Sequence, residues 1–423
     1  MIVAGGGAAG LLAAIFSARA GVSTLLLDKN RKAGVKILMS GGTRCNVTQD
    51  TDWRGIAAAF GGRQGRFLKY PLASFPPDHT ARFFEAAGVP LKTEATGKVF
   101  PVSDRAIDVR DALLSEATAA GVHLLSGVPV TGIERSGDGF AVATRQETFT
   151  SGQLILATGG QSYPGCGTTG DGYAWVRRLG HRVRPPRPAL TPVRISEPWV
   201  HGLAGITVPD MQARVVAADP SSGGPVEDVR PAGDRGSFLF THRGCSGPVV
   251  LNISRGITDP GWPVGKHLLC DWIPERNQDE LRSQLLDPES ASTPVSDALA
   301  AGLPRRLLQS IAQTAGISER MRLGELGRKR IARLVSGLKQ GLLTIDGTLG
   351  FAKAEVTAGG VELDEVNPRT MASRQAPGLF LAGEILDVDG PIGGYNFQAA
   401  WSTGRLAGIS AARASQVETR GNG

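Results

Sequence analysis

The sequence predicts a Rossmann-like α/β fold, discontinuous along the chain, and three observations carry the prediction. A short apolar strand, Ile2 to Ala4, runs into Gly5-x-Gly7-x-x-Gly10 and then into an Ala/Leu-rich helical stretch, Gly10 to Ala20. A second buried strand, Ser23 to Leu27, follows and ends on the acid Asp28. After Pro185 the composition shifts, and only Gly341 to Gly423 returns to Gly-rich strand and turn sequence with a last helix near Ala399 to Ala412.

The first unit has the element lengths of a βαβ motif. Gly5 permits a tight turn, Gly7 lets backbone approach a pyrophosphate, and Gly10 lets helix and strand pack closely. Ala8 and Ala9 lie in the turn that opens the helix, whose N-terminal free N–H groups and dipole favour an anion. Asp28 is placed for the ribose hydroxyls of a dinucleotide, with Lys29 beside it. Another strand, Gln153 to Ala157, leads into Thr158-Gly159-Gly160. Helical stretches at Asp78 to Ala87 and Ile107 to Ala120 are each closed by glycine, Gly88 and Gly121.

Arg184 to Pro188 reads as a stiff linker. Pro192 to Asp271 alternates in short β-like runs, and Glu275 to Lys339 carries Leu and Ile at helical spacings. The boundaries are therefore 1–188 for the first part of the nucleotide-binding domain and 189–273 for a β-rich insertion. A helical insertion at 274–340 follows, then a return strand at 341–356 and the second part of the nucleotide-binding domain at 357–423.

Composition narrows the function. The 423 residues suit two or three domains, and 57 glycines suit a large cofactor approached by backbone. No stretch approaches the ~20 apolar residues of a membrane span. Met1 to Leu27 lacks the basic start of a leader and is broken by glycines. Cys45, Cys166, Cys245 and Cys270 show no metal-ligand spacing and read as reduced thiols of a cytoplasmic protein. The net charge is +7, and basic residues concentrate between Arg305 and Lys339. Arg305, Arg306, Arg320, Arg322, Arg328, Lys329, Arg330, Arg333 and Lys339 face only Glu319 and Glu325. The segment is either a solvated helix face or a surface for a polyanion such as RNA.

Only one nucleotide fingerprint exists, which points to FAD rather than to a bound nicotinamide. The loop Gly34 to Asn46, with Lys36, Ser40, Gly41, Gly42, Arg44, Cys45 and Asn46, sits where an extended dinucleotide would continue. Leu379 to Glu384 is a strand delivering Gly383 and a carboxylate suited to ribityl hydroxyls. Gly393-Gly394-Tyr395-Asn396-Phe397 opens the last helix, whose N-terminus would stabilise the anionic reduced ring. The backbone there should matter more than the Tyr395 and Asn396 side chains.

These motifs, together with Gly97 to Pro101, Thr168 to Gly172, Phe240 to Pro248 and Thr357 to Val361, resemble the BaiN/YhiN-like (aminoacetone-oxidase-like) FAD-dependent oxidoreductases. Asp28 stands where that family usually has Glu. The resemblance implies a FAD domain with an inserted β-barrel and a small helical domain. It also implies Val130 and Ala157 as further FAD contacts, and NAD(P)H as electron source. Members have been linked to reducing activated double bonds in steroid acids, to dihydrouridine in large-subunit ribosomal RNA, and to amine oxidation.

Flavin chemistry needs a proton donor besides. Cys45 beside Arg44 is either an acid of lowered pKa or a small buried thiol packing the loop. His242, with Arg243, lies either in a lid over the flavin or in a solvent-facing turn. No histidine precedes His79, so FAD is expected to be non-covalent. NAD(P)H has no Rossmann unit of its own and should visit the flavin transiently, leaving before the acceptor binds.

Overall fold

A computed structural model describes residues 1–217, 227–228, 233–261, 266–299, 302–318 and 321–421. Glu319 and Arg320 of the basic segment lie outside them. The chain forms two compact units, one of residues 1–188 and 355–423, the other of residues 189–354.

In the first unit, strand β1 (Ile2–Ala4) is central to a parallel five-stranded sheet. The order is Leu379–Leu381, Leu154–Leu156, β1, β2 (Leu25–Asp28) and His123–Ser126. Its inner strands are continuous Val, Ile and Leu runs because helices cover a parallel sheet on both faces. Helix α1 (Ala8–Arg19) begins two residues earlier than its Ala/Leu pattern suggests, directly after the glycine turn. It packs against the last helix, Tyr395–Gly421, with glycine at the contact. A Cβ on Gly404 would stand 2.2 Å from the Ala9 carbonyl oxygen, and one on Gly408 2.3 Å from that of Ala13. The two backbones approach to a distance only glycine permits.

Two glycine-closed helices, Pro77–Ala86 and Ala106–Ala119, occupy the stretches expected for them. Arg184 to Pro188, read as a stiff linker, lies in an extended strand: Val183–Ala189 pairs with Val356–Val361. Its prolines lack N–H donors and tolerate only such an edge position.

The second unit contains a closed barrel. Its sheet runs Thr207–Ala217, Asp234–Thr241, Gly244–Ser246, Val193–Ile195, Gly341–Thr348 and Lys266–Asp271, and the last strand pairs with the first. Closure removes the open edges a free sheet would expose. The helices Gln278–Leu285, Arg305–Thr314 and Arg328–Lys339 bury Leu281, Leu307 and Leu334 in the same apolar core as Phe238, Phe240 and Trp272. Barrel and helices thus share one core.

Candidate functional site

The site begins at the turn between β1 and α1. Gly5 has φ 105°, and a Cβ on Gly10 would stand 1.8 Å from the Gly5 carbonyl oxygen. Around Gly7 there is open space: beyond its own chain neighbours no atom lies within 4 Å of where a Cβ would stand. The first turn of α1 has no acidic side chain and no side-chain cap. Its N–H groups face that space, which suits a pyrophosphate.

Asp28 ends β2 and is buried. Its two oxygens accept from Gly6 N (2.6 Å) and Asn30 N (2.7 Å). Burial pushes its carboxyl pKa up, and the two amides pull it down. Asp28 therefore ties the phosphate turn to β2, and a ribose hydroxyl would use its remaining lone pairs. The Lys29 ammonium is paired with Thr169 Oγ1 (2.6 Å) and Asp171 Oδ2 (2.7 Å), holding the following loop. Val130 opens a strand two residues after Val128, whose amide donates to the Asp28 carbonyl at 2.9 Å.

Ala157 donates its amide to Ala4 O at 2.9 Å and lies against Gly5. Beyond it, Thr158, Gly159 and Gly160 lead to a network absent from the sequence reading. In helix α2 (Val35–Met39), Lys36 Nζ lies 2.6 Å from both Glu384 Oε2 and Ser162 Oγ. Glu384 Oε1 accepts from Ser162 Oγ (2.7 Å) and Thr357 N (2.7 Å). The Thr357 hydroxyl oxygen accepts from Gln161 N and Ser162 N. Glu384 was expected to hold ribityl hydroxyls, yet both its oxygens already have donors within the chain. Ser162 lies in no motif of the sequence, and Thr357 entered only through the family pattern Thr357 to Val361. Gly383, next to Glu384, packs against Ala9 at the start of α1.

The loop after α2 is unusual backbone. Gly41, Gly42, Thr43 and Cys45 have φ of 55°, 67°, 71° and 60°. Ser40 Oγ donates to the Ile37 carbonyl at 2.7 Å. The Arg44 guanidinium is drawn away from Cys45: it pairs with Glu94 and with Asp104 Oδ1 (2.8 Å) and covers the Phe100 ring at 3.9 Å. Cys45 is fully enclosed, and burial pushes its thiol up to about 12. Of the two readings of Cys45, the geometry fits the small buried thiol that packs the loop and not the acid activated by Arg44, whose charge is engaged elsewhere. With its amide turned to satisfy its neighbours, Asn46 accepts from Gly394 N (3.1 Å) and donates to Thr48 O (2.9 Å) and Val99 O (3.2 Å).

Asn46 so joins this loop to the C-terminal helix. Gly393 and Gly394 have φ of 116° and 92°, and Gly394 lies against the Thr48 carbonyl. The Asn396 side chain bonds Gly390 N (2.8 Å), Gly390 O (3.0 Å) and Pro391 O (3.1 Å) and so shapes the turn. Side chains thus matter here as well as backbone. Phe397 stacks on Trp401, and the Trp401 indole donates to Val47 O at 2.9 Å. Gln398, fully buried, bonds Thr48, Phe75, Thr80 and Ser402. Its polar neighbour one turn on, Ser402, is buried with it.

His242 and Arg243 belong to the second unit. They form an exposed two-residue connection between Asp234–Thr241 and Gly244–Ser246, and Arg243 N donates to Thr241 Oγ1 at 3.4 Å. Of the two readings of this segment, a lid or a solvent-facing turn, its geometry is that of the turn: a short hairpin connection held by strand pairing. No cluster of metal-ligating side chains occurs among the described residues. Nor, among them, is any helix long and apolar enough to cross a membrane.

A glycine turn on a parallel sheet, an opposed helix N-terminus and glycine cradles on both define a dinucleotide-binding protein of the flavoprotein class. The chain belongs to the family described as HI0933-like protein Rossmann domain, which matches residues 1–410. It is 34% identical over 417 residues to a 3-dehydro-bile acid delta(4,6)-reductase of Clostridium scindens, covering 97% of this chain and 98% of that protein. It is 35% identical over 405 residues to a ribosomal RNA dihydrouridine synthase of Escherichia coli, covering 95% of each. Among solved structures, Escherichia coli quinol fumarate reductase FrdA matches with a TM-score of 0.50 at 16% identity, over 99% of this chain and 73% of that one, a likeness of fold. The chain is an FAD-dependent oxidoreductase of the HI0933-like family.

Proposed function

We propose that this protein uses NAD(P)H to reduce an activated carbon–carbon double bond, and that its substrate is uridine in large-subunit ribosomal RNA. The two relatives described above carry names that denote saturation of such a bond. The observation that favours RNA is the helix Arg328–Lys339. Arg328, Lys329, Arg330 and Arg333 are exposed, and none has an ion-pair partner among the described residues. Cations in the first helical turn oppose the helix dipole and are tolerated more readily where an anion docks. Not all of the basic segment is available: Lys339 pairs with Asp271 at 2.6 Å, and Arg306 donates to Gly202 O at 2.6 Å.

When bound, FAD would supply hydride at N5. The residues that would hold it are the turn Gly5–Gly10, Asp28, Lys36, the loop Ser40–Asn46, Thr158–Gly160 and the Gly393–Phe397 helix start. Lys36, Ser162, Thr357 and Glu384 keep the four segments that meet there in register. The start of the last helix presents amides to developing negative charge. An RNA substrate implies action in the cytoplasm.

Nucleoside mass spectrometry of ribosomal RNA from a deletion strain tests the reading. Loss of one dihydrouridine is expected, and an unchanged nucleoside profile would overturn it. The second reading, a reductase of a small enone, rests on the bile acid reductase relative. Efficient turnover of a small enone without salt-dependent RNA binding would favour it.

A further inference from the structure

A uridine that is to be reduced must leave its stack, so the RNA around it meets the protein unpaired. Unpaired bases are held on aromatic faces flanked by cations. The first unit carries such a face on the helix Gly62–Ser74. Gly65, Phe67, Leu68 and Leu72 are buried there, while Arg66, Lys69, Tyr70 and Ala73 are exposed at the spacing of one helix side. Tyr70 is a large ring left 48% exposed. The Arg369 guanidinium lies over that ring, 5.0 Å from its centre, which is cation–π range.

The face is rigidly mounted. A Cβ on Gly65 would stand 2.2 Å from the Ala57 carbonyl oxygen, so the helix is pressed against Trp53–Phe60. Gln64 Nε2 donates to Asp389 Oδ1 at 2.8 Å, in the segment that leads into Gly393 and Gly394. At the other end, Arg405 of the last helix donates to the Ser74 carbonyl at 3.1 Å.

Its charge is also unbalanced. Arg66, Lys69 and Arg369 are exposed, and none has an ion-pair partner among the described residues. The acids just before Arg369 serve other cations. Glu362 and Asp364 lie 3.6 and 3.7 Å from Arg63, and Glu365 lies 2.9 Å from Arg182. Like charges three residues apart on a helix, as in Arg66 and Lys69, are unfavourable until an anion offsets them.

We propose that Arg66, Lys69, Tyr70 and Arg369 form an RNA-docking face. An unpaired base stacks on Tyr70 and Arg369, and Arg66 and Lys69 take the flanking phosphates. This inference rests on the RNA reading above, and it adds to the Arg328–Lys339 helix a contact on the unit that carries the glycine turn.

The test titrates the holoprotein and the variants Y70A, Y70F and R66Q/K69Q with an unmodified transcript of large-subunit ribosomal RNA at several salt concentrations. Y70A should bind about 5- to 150-fold more weakly, the loss of one stacked base. Y70F keeps the ring and should bind as wild type does. R66Q/K69Q should bind more weakly, with a salt slope shallower by about 1.4, two single-strand phosphate contacts at about 0.7 each. Flavin content and melting temperature should stay at wild-type values, because the altered side chains are exposed. Wild-type affinity and slope in both Y70A and R66Q/K69Q would overturn the docking face and leave the RNA reading standing. Wild-type holoprotein that shows no salt-dependent binding of the transcript would overturn the RNA reading and the face with it.

Discussion

Lys36 Nζ and Glu384 Oε2 lie 2.6 Å apart, although 348 positions of sequence separate them. The pair sits where the loop after α2, the Ser162 turn, the Val356–Val361 strand and the Ala382–Glu384 segment meet. Both side chains are largely covered, at 24% and 19% exposure, so solvent screens the pair only in part.

Replacing Lys36 removes one donor from Glu384 and one from Ser162. K36M should weaken FAD binding and fold stability by about 1.5–3 kcal/mol, the range for hydrogen bonds to charged groups. Flavin fluorescence titration and thermal unfolding measure the two effects. An unchanged FAD affinity would show that the network does not support the cofactor site.

Cys45 offers a contrast. Its thiol is enclosed and pushed up to about 12, so iodoacetamide should not label it in the native holoprotein. C45A should keep turnover within about threefold, whereas loss of a general acid costs about 100-fold or more. A loss of that size at full flavin content would return Cys45 to the chemistry.

The contact between α1 and the last helix predicts a steric effect. G404A places a methyl where the Ala9 carbonyl oxygen stands 2.2 Å away, so the helices must separate. Overpacking of this kind costs about 1–3 kcal/mol or more. It should also displace Gly383 and loosen FAD, as measured by flavin retention on gel filtration. Wild-type retention and melting temperature would show that the helices can part freely.

His181 is buried, with Nδ1 3.1 Å from Glu365 Oε2 and Nε2 2.7 Å from Ser373 Oγ. Desolvation lowers its pKa below 6.5, and the neighbouring Glu365 opposes the shift. The folded state therefore prefers neutral histidine. Its contribution to stability is complete above the unfolded pKa of 6.5 and declines as pH falls from there through the folded value. Urea unfolding of wild type and H181Q across that window should show a pH-dependent term in wild type that the variant lacks. Identical pH profiles would remove His181 as its source.

The glycine turn was legible in the chain because its demands are local. Gly10 must be glycine because a Cβ there would meet the Gly5 carbonyl only five residues away, and strand, turn and helix all fall within a dozen residues. The parallel sheet was legible for a similar reason, since strands covered on both faces must be continuously apolar. Arg44 and Cys45 were not. Adjacency suggested that the cation would activate the thiol, but Glu94, Asp104 and Phe100 compete for the guanidinium, and only folding brings them near.

The same distinction holds across the molecule. Local sterics and hydrophobic period decided the element types, the phosphate turn and the family pattern that FAD follows. Tertiary structure decided which donors reach Glu384, which acids draw Arg44 away from Cys45, and that Thr207–Ala217 meets Lys266–Asp271 to close a barrel. Side-chain partners are chosen by whatever packing brings within about 3 Å, and hydrogen bonds are lost beyond that reach. No spacing along the chain encodes such a distance.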